Sequence, residues 1–131
     1  MDVETLREYC LSLGDDVEER MPFQAFKAAQ GVLAFYVRGH MFCYFDVDSY
    51  DVVTVKCPPE RIPQLKEQYD GLVPPYNMSP KHWTGICPAR ADDTLMHELV
   101  RQSYELVKKK YKKNKLIIQN QDYYLAIQGI G

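Results

Sequence analysis

The stretch between residues 32 and 56 constrains the fold more than any other part of the chain. Residues 32–37 and 41–45 are rich in β-branched and aromatic side chains, and the link Arg38-Gly39-His40 is short enough to join them as a hairpin. A third run, Val52-Val53-Thr54-Val55-Lys56, follows a polar link at 46–51 whose Asp48 and Ser49 suit a turn. Three successive strands joined by such short links form an antiparallel meander. Alternation along the second run assigns at least half of Met41, Phe42, Tyr44 and Phe45 to the core rather than to the lining of a ligand site.

The flanking segments read as helices. From residue 2 to 13, Val3, Leu6, Tyr9, Cys10 and Leu13 recur at three- and four-residue steps, with Asp2 as a cap and Gly14 as a stop. Pro22 limits residues 15–23 to a short extended edge piece. After Pro58-Pro59, the residues Ile62, Leu65, Lys66 and Tyr69 share one helical face that Gly71 can end. Residues 72–88, with four prolines and the only tryptophan, predict an ordered loop leading into a short strand at 84–87. Between 92 and 111, Leu95, Met96, Leu99, Val100, Ser103, Tyr104, Val107 and Tyr111 make a stripe at helical period, and Asp92 and Asp93 favour its start. Apolar pieces at 116–118 and 123–127 are expected to add a strand or hairpin. The reading is therefore one α+β domain over residues 1–112, an antiparallel sheet with helices packed on it, and a C-terminal extension at 113–131.

Composition bounds the setting. The 131 residues are 46% hydrophobic and carry a net charge of −2, enough apolar surface for one core and no strongly basic overall field. The first residues, Met-Asp-Val-Glu, place carboxylates where an export signal carries positive charge, and no apolar run approaches the roughly 20 residues that cross a bilayer. A soluble, cytoplasmic protein without membrane partners is expected, with Cys10, Cys43, Cys57 and Cys87 reduced and mostly buried.

Several landmarks recur in order: Glu19-Arg20-Met21-Pro22-Phe23, Gly39-His40-Met41-Phe42, Val55-Lys56-Cys57-Pro58-Pro59, Pro75-Tyr76-Asn77-Met78-Ser79-Pro80-Lys81-His82-Trp83 and Ser103-Tyr104-Glu105-Leu106-Val107. Over roughly residues 1–110 this set resembles the YjbR/MmcQ-like family of small bacterial proteins. The chain departs from the family's pattern at His40, where lysine is common, and at Asn77, where histidine is common. The resemblance implies an α+β fold in the order α-β-β-β-β-α-β-α and DNA binding through a double wing of β-hairpins.

Charge is distributed unevenly along the chain. Residues 1–20 hold seven carboxylates against two arginines, and residues 101–115 hold seven cations against Glu105 alone. This cluster (Arg101, Lys108, Lys109, Lys110, Lys112, Lys113 and Lys115) reads either as a phosphate-facing patch, with Lys108, Lys112 and Lys113 as its contacts, or as a solvated helix end offsetting the dipole. Arg38 and His40 lie at the hairpin tip as wing contacts, whereas Asp46, Asp48 and Asp51 in the next link repel phosphate. Lys81 and His82 are placed to touch an anion, with Tyr76 and Trp83 as stacking faces. The preferred reading of Trp83 is nevertheless a core anchor that pins its loop.

No nucleophile–base pair, paired carboxylates or metal-ligand spacing is recognisable, and His40, His82 and His97 are far apart in sequence. A non-enzymatic module without cofactor or metal is expected. Its first reading is DNA-binding or regulatory, through Arg38, His40, Lys81, His82, Lys108, Lys112 and Lys113. The alternative is a protein-interaction module pairing with a partner or a second copy through its sheet or tail.

Overall fold

The computed structural model describes residues 1–111. They form three helices, α1 (Val3–Ser12), α2 (Ile62–Gln68) and α3 (Asp93–Lys110), and six strands. The strands are β1 (Val17–Arg20), β2 (Val32–Val37), β3 (His40–Asp46), β4 (Val53–Lys56), β5 (Leu72–Val73) and β6 (Trp83–Ile86). They make one antiparallel sheet in the order β1-β2-β3-β4-β6-β5. The α+β fold and the central meander are as the sequence predicts. The two-residue β5 was not foreseen: it pairs Leu72 with Ile86 and Val73 with Gly85 at the sheet edge, inside the proline-rich loop. The order is thus α-β-β-β-β-α-β-β-α, one strand more than expected. The pieces at 116–118 and 123–127 lie outside the described residues, as do Lys112 and Lys113.

Capping fixes where α1 and α3 begin. The Asp2 carboxylate accepts from Thr5 N at 2.8 Å, and Asp92 accepts from Leu95 N at the same distance. Each satisfies one of the N–H groups a helix start leaves unpaired. The periodic stripe of α3 is buried from Leu95 to Val107 against the sheet. There it meets Leu6 and Cys10 of α1, Ile62 and Leu65 of α2, and the strand residues Leu33, Phe35, Val37, Cys43, Phe45, Val53, Val55 and Ile86. Burial of each such large side chain stabilises the fold by about 1.5–3 kcal/mol. A smaller cluster on the other face of the sheet holds Val32, Ala34 and Tyr44 beneath Phe23, Ala29 and Met78.

One irregularity decides which residues reach the helices. The β2–β3 register slips between Phe35 and Tyr36: Cys43 lies opposite Phe35, but Met41 lies opposite Tyr36, so Phe42 is an extra residue on β3. Both Phe42 and Cys43 consequently enter the helix-side core. The bulge shifts the alternation by one, putting Met41 against the second face and returning His40, opposite Val37, to the helix side.

Trp83 corrects an expectation. In the β4–β6 register Thr84 and Ile86 lie opposite Val55 and Val53 on the helix side, and alternation leaves Trp83 out of both apolar clusters. It is half-buried at the end of the strand, with the Lys56 ammonium 5.5 Å from its ring centroid. The cysteines are free thiols, three buried and Cys87 half-buried. No described helix is long and apolar enough to cross a membrane.

Candidate nucleic-acid interface

An antiparallel meander sends alternate strand ends to the same edge of the sheet. The end of β2, the start of β3, the end of β4 and the start of β6 therefore share one end, which α3 also reaches with its last turn. That end carries Arg38, His40, Lys56, Trp83, Lys110 and Tyr111.

The turn between β2 and β3 consists of Arg38 and Gly39, with φ of 54° and 83°. Two residues at positive φ suit the right-handed twist of a hairpin, and asparagine or glycine is the ordinary choice for both. Arginine at the first is conformationally costly, and its Nη1 atom is buried without a hydrogen-bond partner among the described residues. His40 stacks on Tyr111, with ring centroids 3.4 Å apart and planes 8° from parallel. Lys110 places its ammonium 5.4 Å from the Tyr111 ring centroid. Burial, then the neighbouring charges of Lys110 and Lys56, hold the His40 imidazolium below its ordinary pKa. Burial and Lys110 lower Lys56 in the same way. None of Arg38, His40, Lys56 or Lys110 forms an ion pair among the described residues. Mutual repulsion of this kind is relieved by an incoming anion.

Of the other residues singled out from sequence, Lys81, His82 and Lys108 are among those described. Lys81 and His82 are exposed, in a turn held to the sheet end where Cys57 N donates to His82 O at 3.0 Å. Lys81 faces a shallow depression of about 610 Å³ that it shares with Lys66 of α2. Lys108 is committed elsewhere: its Nζ lies 3.1 Å from Asp16 Oδ2 and donates to the Tyr104 hydroxyl at 3.1 Å. Sequence reasoning had Lys110 only as one member of the basic cluster at 101–115 and did not single out Lys56, which no local signal distinguishes. Only the topology joins a strand end to a helix end.

The opposite end of the sheet is acidic. There the β3–β4 link holds Asp46, Asp48 and Asp51, and Tyr50 of the same link donates to Met1 O at 2.8 Å. The Met1 ammonium lies 3.3 Å from Asp93 at the start of α3. Successive turns of the meander thus lie about one strand length apart, with opposite charge. No three or more His, Cys, Asp or Glu side chains among the described residues are grouped to hold a metal ion.

Comparison with known proteins agrees with this architecture. No curated protein matches the chain. A crystal structure of Deinococcus radiodurans protein DR2400, assigned to domain family DUF419, is similar with a TM-score of 0.74 and 27% identity over 95% of this chain and 93% of that one. A Pseudomonas syringae protein shares the fold at a TM-score of 0.68 and 18% identity, over 82% of this chain and 99% of its own. The YjbR family model matches residues 11–106, a span that takes in all six strands, α2 and nearly all of α3. With its sheet order, its landmarks and that match in agreement, the chain belongs to the YjbR family.

Proposed function

We propose that the protein is a non-enzymatic module that binds nucleic acid, its basic sheet end holding the phosphate backbone. The reading is carried by the convergence of Arg38, Lys56 and Lys110 around the His40 ring, without ion-paired carboxylates among the described residues. Phosphate contacts supply most sequence-independent affinity, and they need cations that are not already neutralised. The net charge of −2 is compatible with this role because the opposite charges are separated along the strands.

Fluorescence anisotropy of a mixed-sequence DNA duplex, titrated at several salt concentrations, tests the reading. With Arg38, Lys56 and Lys110 each neutralising one phosphate, the plot of log K against log salt has a slope of about −3. The double variant Lys56→Ala, Lys110→Ala reduces it to about −1 and weakens binding. Absence of salt-sensitive binding at low salt would overturn the reading.

A further inference from the structure

The face of the sheet turned away from the helices carries a second, chemically different site. Two adjoining cavities of about 190 and 180 Å³ share Val32, Tyr44 and Tyr76. One has apolar walls from Phe23, Phe26, Met41 and Met78. The other is bordered by Asp46, Ser49 and Asp51. Together they reach the lower end of the size range of small-molecule sites, about 300–1,000 Å³.

The wall common to both cavities is fixed in place. The Tyr44 hydroxyl donates to Tyr76 O, and Tyr76 N donates to Thr54 Oγ1 at 3.1 Å, so two hydrogen bonds hold the 74–79 loop on the sheet. The outer rim is uncovered by the described residues: Phe26 is 63% exposed and Tyr76 48%. The period-2 alternation of β3 places Asp46 on the same face as Tyr44. Asp46 Oδ1 accepts from Asp48 N and Ser49 N at 2.8 and 3.2 Å, and Asp51 Oδ1 accepts from Ser49 Oγ at 3.2 Å. The second oxygen of each carboxylate has no hydrogen-bond partner, and neither residue an ion pair, among the described residues. Among the described residues, no cationic side chain lines either cavity.

We infer that this face binds a small arylalkylamine, its ring in the apolar cavity and its ammonium between Asp46 and Asp51. An apolar cavity of about 150 Å³ accommodates a benzene-sized group. The tyrosine rings between the two halves add the attraction of an aromatic face for a cation. The carboxylates make the same site unfavourable for an anion of equal shape. The site is separate from the basic sheet end and does not depend on the nucleic-acid reading.

The test uses the full chain with methyl-labelled methionine, titrated with 2-phenylethylammonium and, in parallel, 3-phenylpropanoate. The amine shifts the Met41 and Met78 methyl resonances saturably below about 10 mM, in the range expected for so small a ligand. The carboxylate binds more weakly or not at all. Asp51→Asn, an exposed position where the fold is retained, weakens the amine by about threefold, the size of an exposed ion pair, and leaves the carboxylate no weaker. Equal saturation by both compounds, saturation by neither, or an unchanged amine affinity in Asp51→Asn would each overturn the inference.

Discussion

His40 and Tyr111 lie ring on ring, 3.4 Å between centroids, joining the first residue of β3 to the residue that ends α3. The contact exists because the bulge at Phe42 turns His40 toward the helix side. It also holds an imidazole between two lysines, which has a measurable consequence. Burial, Lys110 and Lys56 lower the folded-state pKa of His40 below 6.5. The unfolded chain therefore takes up this proton first, so the contribution of His40 to stability is fully present above about pH 6.5 and falls as pH drops toward the folded value. Titration of the His40 ring protons by NMR shows a midpoint below 6.5, and Lys110→Ala raises it. A midpoint at or above 6.5 would contradict the arrangement.

Arg38 sets stability against the proposed binding. Its positive φ suits asparagine or glycine better than arginine, and the Cβ of a residue at the neighbouring Gly39 would meet nothing within 4 Å among the described residues. Arg38→Asn raises the unfolding free energy by about 0.5–1 kcal/mol in a urea titration and weakens duplex binding at the same time. Gly39→Ala, with φ of 83° and no steric contact to blame, costs about 1 kcal/mol through the backbone alone. An Arg38→Asn variant that loses stability would show that the turn is held by the guanidinium instead.

Ser103 is the polar residue in the buried stripe of α3, and the bulge explains it. Its hydroxyl donates to Phe42 O and accepts from Lys56 N at 2.8 Å, tying the helix to both β3 and β4 where the ladder is interrupted. Ser103→Ala leaves two buried backbone groups without that partner and lowers stability by about 1–3 kcal/mol in chemical denaturation. A loss below about 0.5 kcal/mol would mean that the backbone groups find other partners.

Asp16 holds a cation that the proposed nucleic-acid interface would otherwise use. Burial pushes its carboxyl pKa up, but the hydrogen bonds from Tyr104 and Lys108 outweigh it and leave the pKa below the ordinary value. Asp16 therefore supports the fold above about pH 3.8 and loses that support as the pH falls further. Asp16→Asn releases Lys108 toward the basic end. Duplex affinity at low salt increases, and the salt slope steepens by about one unit in anisotropy titrations.

Much of the fold is written in local pattern. The β2–β3 hairpin follows from its β-branched and aromatic runs, and α3 from the spacing of Leu95 to Val107. The departures have physical causes. β5 has two residues, too few to show a period, and exists because β6 offers it an edge. Trp83 reads as an anchor from its type and its prolines, yet strand alternation gives the interior to Thr84 and Ile86. The bulge at Phe42 leaves no mark in composition, so the face that His40 serves was not legible. Of the candidate site, Arg38 and His40 were readable as a turn, whereas Lys56 and Lys110 become neighbours only after the sheet and α3 have packed.

The separation of the Asp46–Asp51 link from the Arg38 turn along the strands gives the described central meander an electric dipole. In the field of a polyanion such a body would experience a torque before touching anything, so the proposed encounter would occur with the Arg38 end leading. On the proposed reading, each seated copy would turn its Asp46–Asp51 end outward and present an acidic coat to the next arrival. Coverage of a long nucleic acid would then halt at a single layer.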